Sequence, residues 1–141
     1  MNCKNSHVIL VVEDEVLLRD TVAHHLAVKF EVIAIGTGEE AVQAVRSLPK
    51  CDLLLTDFDL HGPLDGLDVA QAAKERYPNI PIILTTGSAG SLPRIEELLQ
   101  LSRTLFLAKP FQQSELDRAI GSFFDADHNS ATVNLDDPLW P

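Results

Sequence analysis

Five short apolar runs recur along the chain: "VILVV" (8–12), "EVIAI" (31–35), "CDLLLT" (51–56), "PIILTT" (81–86) and "TLFLA" (104–108). Each has strand length, and most are continuously apolar rather than alternating, the pattern of a strand buried on both faces. Between the runs the apolar positions recur every three or four residues instead. Leu18, Val22 and Leu26 mark a helix over 16–28, Ala41, Val45 and Leu48 one over 39–48, and Val69 and Ala73 a third. Ile95, Leu98 and Leu99 mark a fourth; Leu116, Ala119, Ile120 and Phe123 mark a fifth, opened by Ser114 with Asp117 three on, a capping-box spacing. Strand and helix alternating five times predict a parallel sheet with helices on both faces. Right-handed crossovers cover both faces only if the strand order reverses, which for five strands gives 2-1-3-4-5 and a ligand site at the carboxyl ends of strands 1 and 3.

Composition supports one globular domain: 141 residues, 45% apolar and 23% charged, suffice for a core without disulfides. Cys3 and Cys51 are far apart and in no metal-ligand spacing, which fits a reducing compartment. The start, "MNCKNSHVILVVEDE", has one lysine and a short apolar run ending in acids, so it does not read as a signal peptide, and no run reaches membrane-spanning length. A cytoplasmic location is expected. A net charge of −10 argues against a nucleic-acid surface, which needs clustered Lys and Arg. Part of that charge belongs to "DADHNSATVNLDDPLWP", the last 17 residues, which lack periodicity. Residues 1–6 and 126–141 are expected to be tails, the second acidic and disordered, with Val133, Leu135, Leu139 and Trp140 as a weak docking segment.

Candidate chemistry collects at the strand ends. Strand 1 runs into Glu13-Asp14-Glu15, and strand 3 into Asp57. Carboxylates converging at one point repel unless a cation neutralises them or one takes a proton. Oxygen ligands in a hydrated cleft suit Mg²⁺, and such a site invites phosphate, with a carboxylate able to act as nucleophile and form an aspartyl phosphate. The phosphoryl oxygens then need a hydroxyl and a cation. Strand 4 ends in Thr85-Thr86-Gly87-Ser88 and strand 5 in Lys109-Pro110. Alternation points Thr85 and Thr86 to opposite faces, so at most one reaches the site; Lys109 supplies a point charge.

"ILVVEDE", "LLLTD", "DGLDVA", "PIILTTG" and "AKPF", in this order and spacing, resemble the receiver domain of two-component response regulators over about residues 7 to 125. The resemblance implies a flavodoxin-like (βα)5 fold with Asp57 as phosphoacceptor. It also implies Mg²⁺ held by Asp14 directly, by Glu13 largely through water, by Asp57 and by the Asp59 main-chain carbonyl. Counting five on from Pro81 selects Thr86 as the switch hydroxyl; Lys109 matches the family lysine, with Lys109-Pro110 expected cis. The residues two after the phosphoacceptor and two after the threonine, Asp59 and Ser88, are implied to tune phosphoryl lifetime. Three departures stand out: Glu13 for the commoner aspartate, an extra residue in "HGPLDG", and Phe106 where a switch tyrosine is common. Phe106 packs but cannot donate a hydrogen bond, and plain core is its rival role.

The implied protein is a single-domain response regulator. Its partners are a sensor histidine kinase or histidine phosphotransfer protein, and a downstream protein reading the face of strand 4, helix 4, strand 5 and helix 5. Nucleic acid and membrane are not expected partners, and residues after 125 leave no room for an effector domain. The main alternative is a haloacid dehalogenase-type phosphatase, with Asp57 as nucleophile and Asp59 as general acid. That pattern wants its metal acids after the lysine, not on strand 1, and a substrate cap. A flavin-binding protein of the same topology would find "EDE" repelling its phosphate, and an interaction-only pseudo-receiver would not need the intact acid, hydroxyl and lysine. His24 and His25, roughly 100° apart on a helix, read as a solvated face, and His61 as an ordinary loop residue.

Overall fold

The computed structural model describes residues 7–87 and 101–124. Five parallel strands form one sheet: β1 (Val8–Val12), β2 (Glu31–Ile35), β3 (Leu53–Asp57), β4 (Ile82–Thr86) and β5 (Thr104–Ala108), in the order β2-β1-β3-β4-β5. The helices are α1 (Val16–Leu26), α2 (Gly38–Ser47), α3 (Gly66–Arg76) and a C-terminal helix, Gln113–Phe124. The predicted order is the observed one. The fourth predicted helix, the tails 1–6 and 126–141, and Ser88 lie outside the described residues.

Strand alternation sorts the core into two layers. Leu10, Val12, Leu54, Ile82 and Leu84 face α2 and α3, where they meet Ala41, Val45, Leu67 and Ala70. Ile9, Val11, Leu53, Leu55 and Ile83 face α1 and the C-terminal helix, against Val22, Leu26, Leu116 and Ile120. β1, β3 and β4 are buried throughout, as the central strands of a sheet covered on both faces must be. Each fully buried Leu or Ile contributes about 1.5–3 kcal/mol, so these three strands hold the sheet together. Their ends are thereby the most firmly placed points at its carboxyl edge.

Two helix starts matter to that edge. Asp65 caps α3 in a reciprocal box: its carboxylate accepts from the Asp68 N–H at 3.0 Å, and Asp68 accepts from the Asp65 N–H at 2.9 Å. Thr37 caps α2, its hydroxyl oxygen accepting from the Glu40 N–H at 3.1 Å. The predicted capping pair of the last helix is displaced. That helix begins at Gln113, so Ser114 already lies inside it; Glu115 instead accepts from the Gln112 N–H at 2.9 Å. Asp117 turns away to His25 of α1, at 2.8 Å. His25 is thus a tie between two helices, whereas His24 is exposed as expected.

Candidate functional site

Asp57 closes β3, and the Glu13-Asp14 pair follows β1, its neighbour in the sheet. One carboxylate oxygen from each of the three lies within 4.8 Å of the others. Asp57 and Glu13 are buried, only 4% and 5% exposed; Asp14 is open on one side. Lys109, just beyond β5, reaches across the edge, its ammonium 2.7 Å from Glu13 Oε1 and 3.0 Å from Asp57 Oδ2. Its bond to Pro110 is cis. Glu13 and Asp57 therefore share one lysine, while Asp14 is left to other partners.

The backbone holds the acids in place. The Glu15 N–H donates to Glu13 Oε2 at 3.0 Å and the Asp59 N–H to Asp57 Oδ1 at 3.2 Å. Arg19 of α1 donates to the Glu13 carbonyl at 3.0 Å and pins the turn from outside. Gly66, at the start of α3, lets that helix lie directly against β3: a methyl group there would collide with the Asp57 carbonyl oxygen and stand 2.7 Å from the Phe58 Cα. Below the carboxylates is a cavity of only about 10 Å³, lined by Glu13, Asp57, Thr85 and Phe111 among others. Any group joined to Asp57 must then sit on the open, solvent side.

Burial raises the Asp57 carboxyl above its ordinary value, and the two Lys109 interactions only partly offset it. Glu13 is raised for the same reason, with the Asp57 charge adding to the effect. Burial also acts upward on Asp14, but hydrogen bonds from the His61 ring and main chain outweigh it and hold that carboxyl low. Burial alone would lower the Lys109 ammonium; its bonds to Glu13 and Asp57 prevail and raise it. Glu13 and Asp57 are short of positive charge. A divalent cation fits this donor set, which is all oxygen and rich in carboxylate.

The structure brings together Glu13, Asp14, Asp57 and Lys109 at one edge. The Asp59 side chain is exposed and points no carboxylate bond at the cluster among the described residues. Thr86 ends β4, 1% exposed, its carbonyl accepting the Lys109 N–H at 2.8 Å. Thr85 is the residue in register with Asp57 and lines the small cavity beside it. Phe106 pairs with Leu84 across β4 and β5 and packs, partly buried, on the layer formed with α2 and α3.

Two contacts escaped the sequence reading. His61, an ordinary loop residue by sequence, donates its main-chain N–H to Asp14 Oδ2 at 3.1 Å and sets its ring Nδ1 against the same oxygen. The contact spans 47 positions and depends on the path of the longer loop, so no local pattern announces it. Arg19 bonds main chain rather than an acid, which leaves no charge signature. The caps at Thr37 and Asp65 did carry one, a Thr or Asp with an acid three residues on.

The profile of the response regulator receiver domain matches residues 9–121. Nodulation protein W of Bradyrhizobium diazoefficiens is 32% identical over 115 residues, covering 80% of this chain and 49% of that protein. The hybrid signal transduction histidine kinase D of Dictyostelium discoideum is 31% identical over 117 residues, 82% of this chain but 7% of that protein. The chain thus spans less than half the length of these curated relatives. Among solved structures, a response regulator receiver protein from Sinorhizobium medicae superposes with a TM-score of 0.77 at 28% identity, covering 86% of this chain and 97% of that one.

Proposed function

The chain belongs to the response regulator receiver family, and from that premise we propose that Asp57 accepts a phosphoryl group from a phosphohistidine on a histidine kinase or phosphotransfer protein. A receiver is a phosphoacceptor signalling module rather than a turnover enzyme, and the phosphatase alternative loses its support. Its metal acids belong after the lysine, whereas the acids that meet Asp57 follow β1.

In the transfer, an Asp57 carboxylate oxygen forms a bond to phosphorus as the P–N bond to the donor imidazole breaks, and the ring nitrogen keeps the electron pair. Lys109 is already 3.0 Å from Asp57 Oδ2 and is placed to pair with a phosphoryl oxygen once the carboxylate charge has moved outward. Glu13, Asp14 and Asp57, with the Asp59 main-chain carbonyl, would hold Mg²⁺. The ion, when bound, neutralises charge on the phosphoryl oxygens. Thr86 supplies the switch hydroxyl and Phe106 repacks toward it, so the face of β4, β5 and the C-terminal helix changes for a protein partner. Asp59 and Ser88 set how fast water removes the group. Among the described residues no helix is long and apolar enough to cross a membrane, and the module works in the cytoplasm as an adaptor, relay or sink.

One observation carries this reading: three carboxylates within 4.8 Å of one another at the β1/β3 edge, two of them, Glu13 and Asp57, bridged by a single lysine. Incubation with acetyl phosphate and Mg²⁺, followed by intact mass measurement, is expected to give one base-labile phosphoryl adduct on wild type and none on Asp57→Asn. Equal labelling of Asp57→Asn would end the proposal.

A further inference from the structure

At the other end of the sheet, away from the acids, lies a groove of about 390 Å³ that phosphoryl chemistry does not use. Tyr77, Ile80, Pro81 and Phe124 give it an apolar lining, and Arg76 and Arg103 border it. The guanidinium of Arg76 lies 5.2 Å from the Tyr77 ring centroid and donates to the Leu48 carbonyl at 3.1 Å. That of Arg103 lies 5.7 Å from the Phe123 ring centroid, on a backbone in the left-handed region, φ 54°. No carboxylate among the described residues pairs with either arginine. Asp52, the one acid in the lining, is engaged by the Val8 N–H at 2.8 Å and by Lys50 at 3.5 Å. In a chain of net charge −10, two guanidinia beside a partly apolar groove, with no acid of their own among the described residues, call for an anionic partner with an apolar part.

The chain carries such a segment. Asp136-Asp137-Pro138-Leu139-Trp140 sets two adjacent acids before two large apolar side chains. Its tether starts where it is needed, because Phe124 lines the groove and the tail follows directly from it in the sequence. The roughly dozen intervening residues can span up to about 40 Å. A tether of that length gives an effective concentration on the order of millimolar, so even a weak intrinsic affinity populates the contact. We propose that this groove binds residues 136–140 of the same chain, with Asp136 and Asp137 against Arg76 and Arg103 and the Trp140 indole on the apolar lining. The assignment is independent of the phosphoryl reading.

Trp140 is the only tryptophan, so its fluorescence reports the contact directly. In the full chain its emission should be blue-shifted and its acrylamide quenching severalfold weaker than in the urea-unfolded chain. The double variant Asp136→Lys with Asp137→Lys, which leaves the folded body untouched, should move both to the values of the unfolded chain. Placing Arg76→Glu and Arg103→Glu on that background should restore protection. Wild-type quenching equal to that of the unfolded chain, or protection unchanged by the aspartate substitutions, overturns the proposal. So does protection lost on dilution, which would assign the groove to the tail of a second copy.

Discussion

The two halves of the carboxyl edge are built differently. On the β1/β3 side the acids are buried and clasped by main-chain N–H groups, and α3 presses onto β3 through a position where no side chain fits. On the β4/β5 side the outer strand is only partly buried from Thr104 to Leu107, and Ala108 is exposed. Among the described residues, Lys109 supplies the side-chain bonds that join the acids to the β5 side. An acceptor needs a fixed position, because a transfer geometry tolerates little displacement. Under the proposed function the β4/β5 side is the reporter, which needs room to move, and its outer strand is the less buried.

The sharpest way to break the fixed half is Gly66→Ala. The new methyl would meet the Asp57 carbonyl oxygen and the Phe58 backbone, neither of which can yield without moving β3 or α3. Overpacking of this kind should cost about 3 kcal/mol, read from chemical denaturation. It should also lower the labelling rate of the molecules that remain folded. A loss below about 1 kcal/mol would mean the helix slides freely over the strand and the half is not fixed.

Cutting the bridge comes next. In Lys109→Ala the buried Glu13 and Asp57 carboxylates lose their shared cation, and stability at pH 7 should fall by about 1–3 kcal/mol. The sign comes from the proton balance. Both carboxyls already lie above their ordinary values when folded, and removing the lysine raises them further. Their contribution is favourable below the unfolded value and is lost as pH rises through the folded one. The defect should therefore shrink on acidification toward about pH 4, the unfolded carboxyl range, and also on addition of Mg²⁺.

Asp57→Asn tests the same balance with the opposite sign. Removing a buried charge whose partner is shared with Glu13 should stabilise the metal-free protein at pH 7, read from chemical denaturation, because burial raises the Asp57 carboxyl and Lys109 only partly offsets it. The gain should shrink on acidification, as wild-type Asp57 takes up its proton first in the folded state and then in the unfolded one, and should be gone below the unfolded carboxyl range. A gain that grows on acidification would contradict the raised carboxyl.

Much of this edge was legible beforehand, for identifiable reasons. Continuous apolar runs report burial on two faces, and the switch-point rule then places Glu13, Asp14 and Asp57 together without any pair information. Lys109 joins them because it ends the last run. His61 on Asp14 was not legible, since it depends on a loop one residue longer than usual and not on periodicity. Ser114 misled because capping depends on where the first helical turn begins, and a shift of two residues transfers the role to Gln112 and Glu115.

The smallest effect on stability separates the two threonines. By alternation Thr86 shares a face with Leu84, whose register partner is Phe106, while Thr85 lines the cavity with Glu13 and Asp57. Either alanine variant should change stability by about 1 kcal/mol, a typical hydroxyl contribution, and both should still be labelled on Asp57. They should differ in how the fold responds to the label. With backbone amide NMR, phosphorylation of wild type and of Thr85→Ala should shift resonances along β5 and around Phe106, whereas Thr86→Ala and Phe106→Leu should keep the unphosphorylated pattern there. If Thr85→Ala alone silences the response, the hydroxyl works from the face of α1 and the C-terminal helix. Phe106 would then be core, and the mobile half of the edge would have to be sought on the opposite side of the sheet.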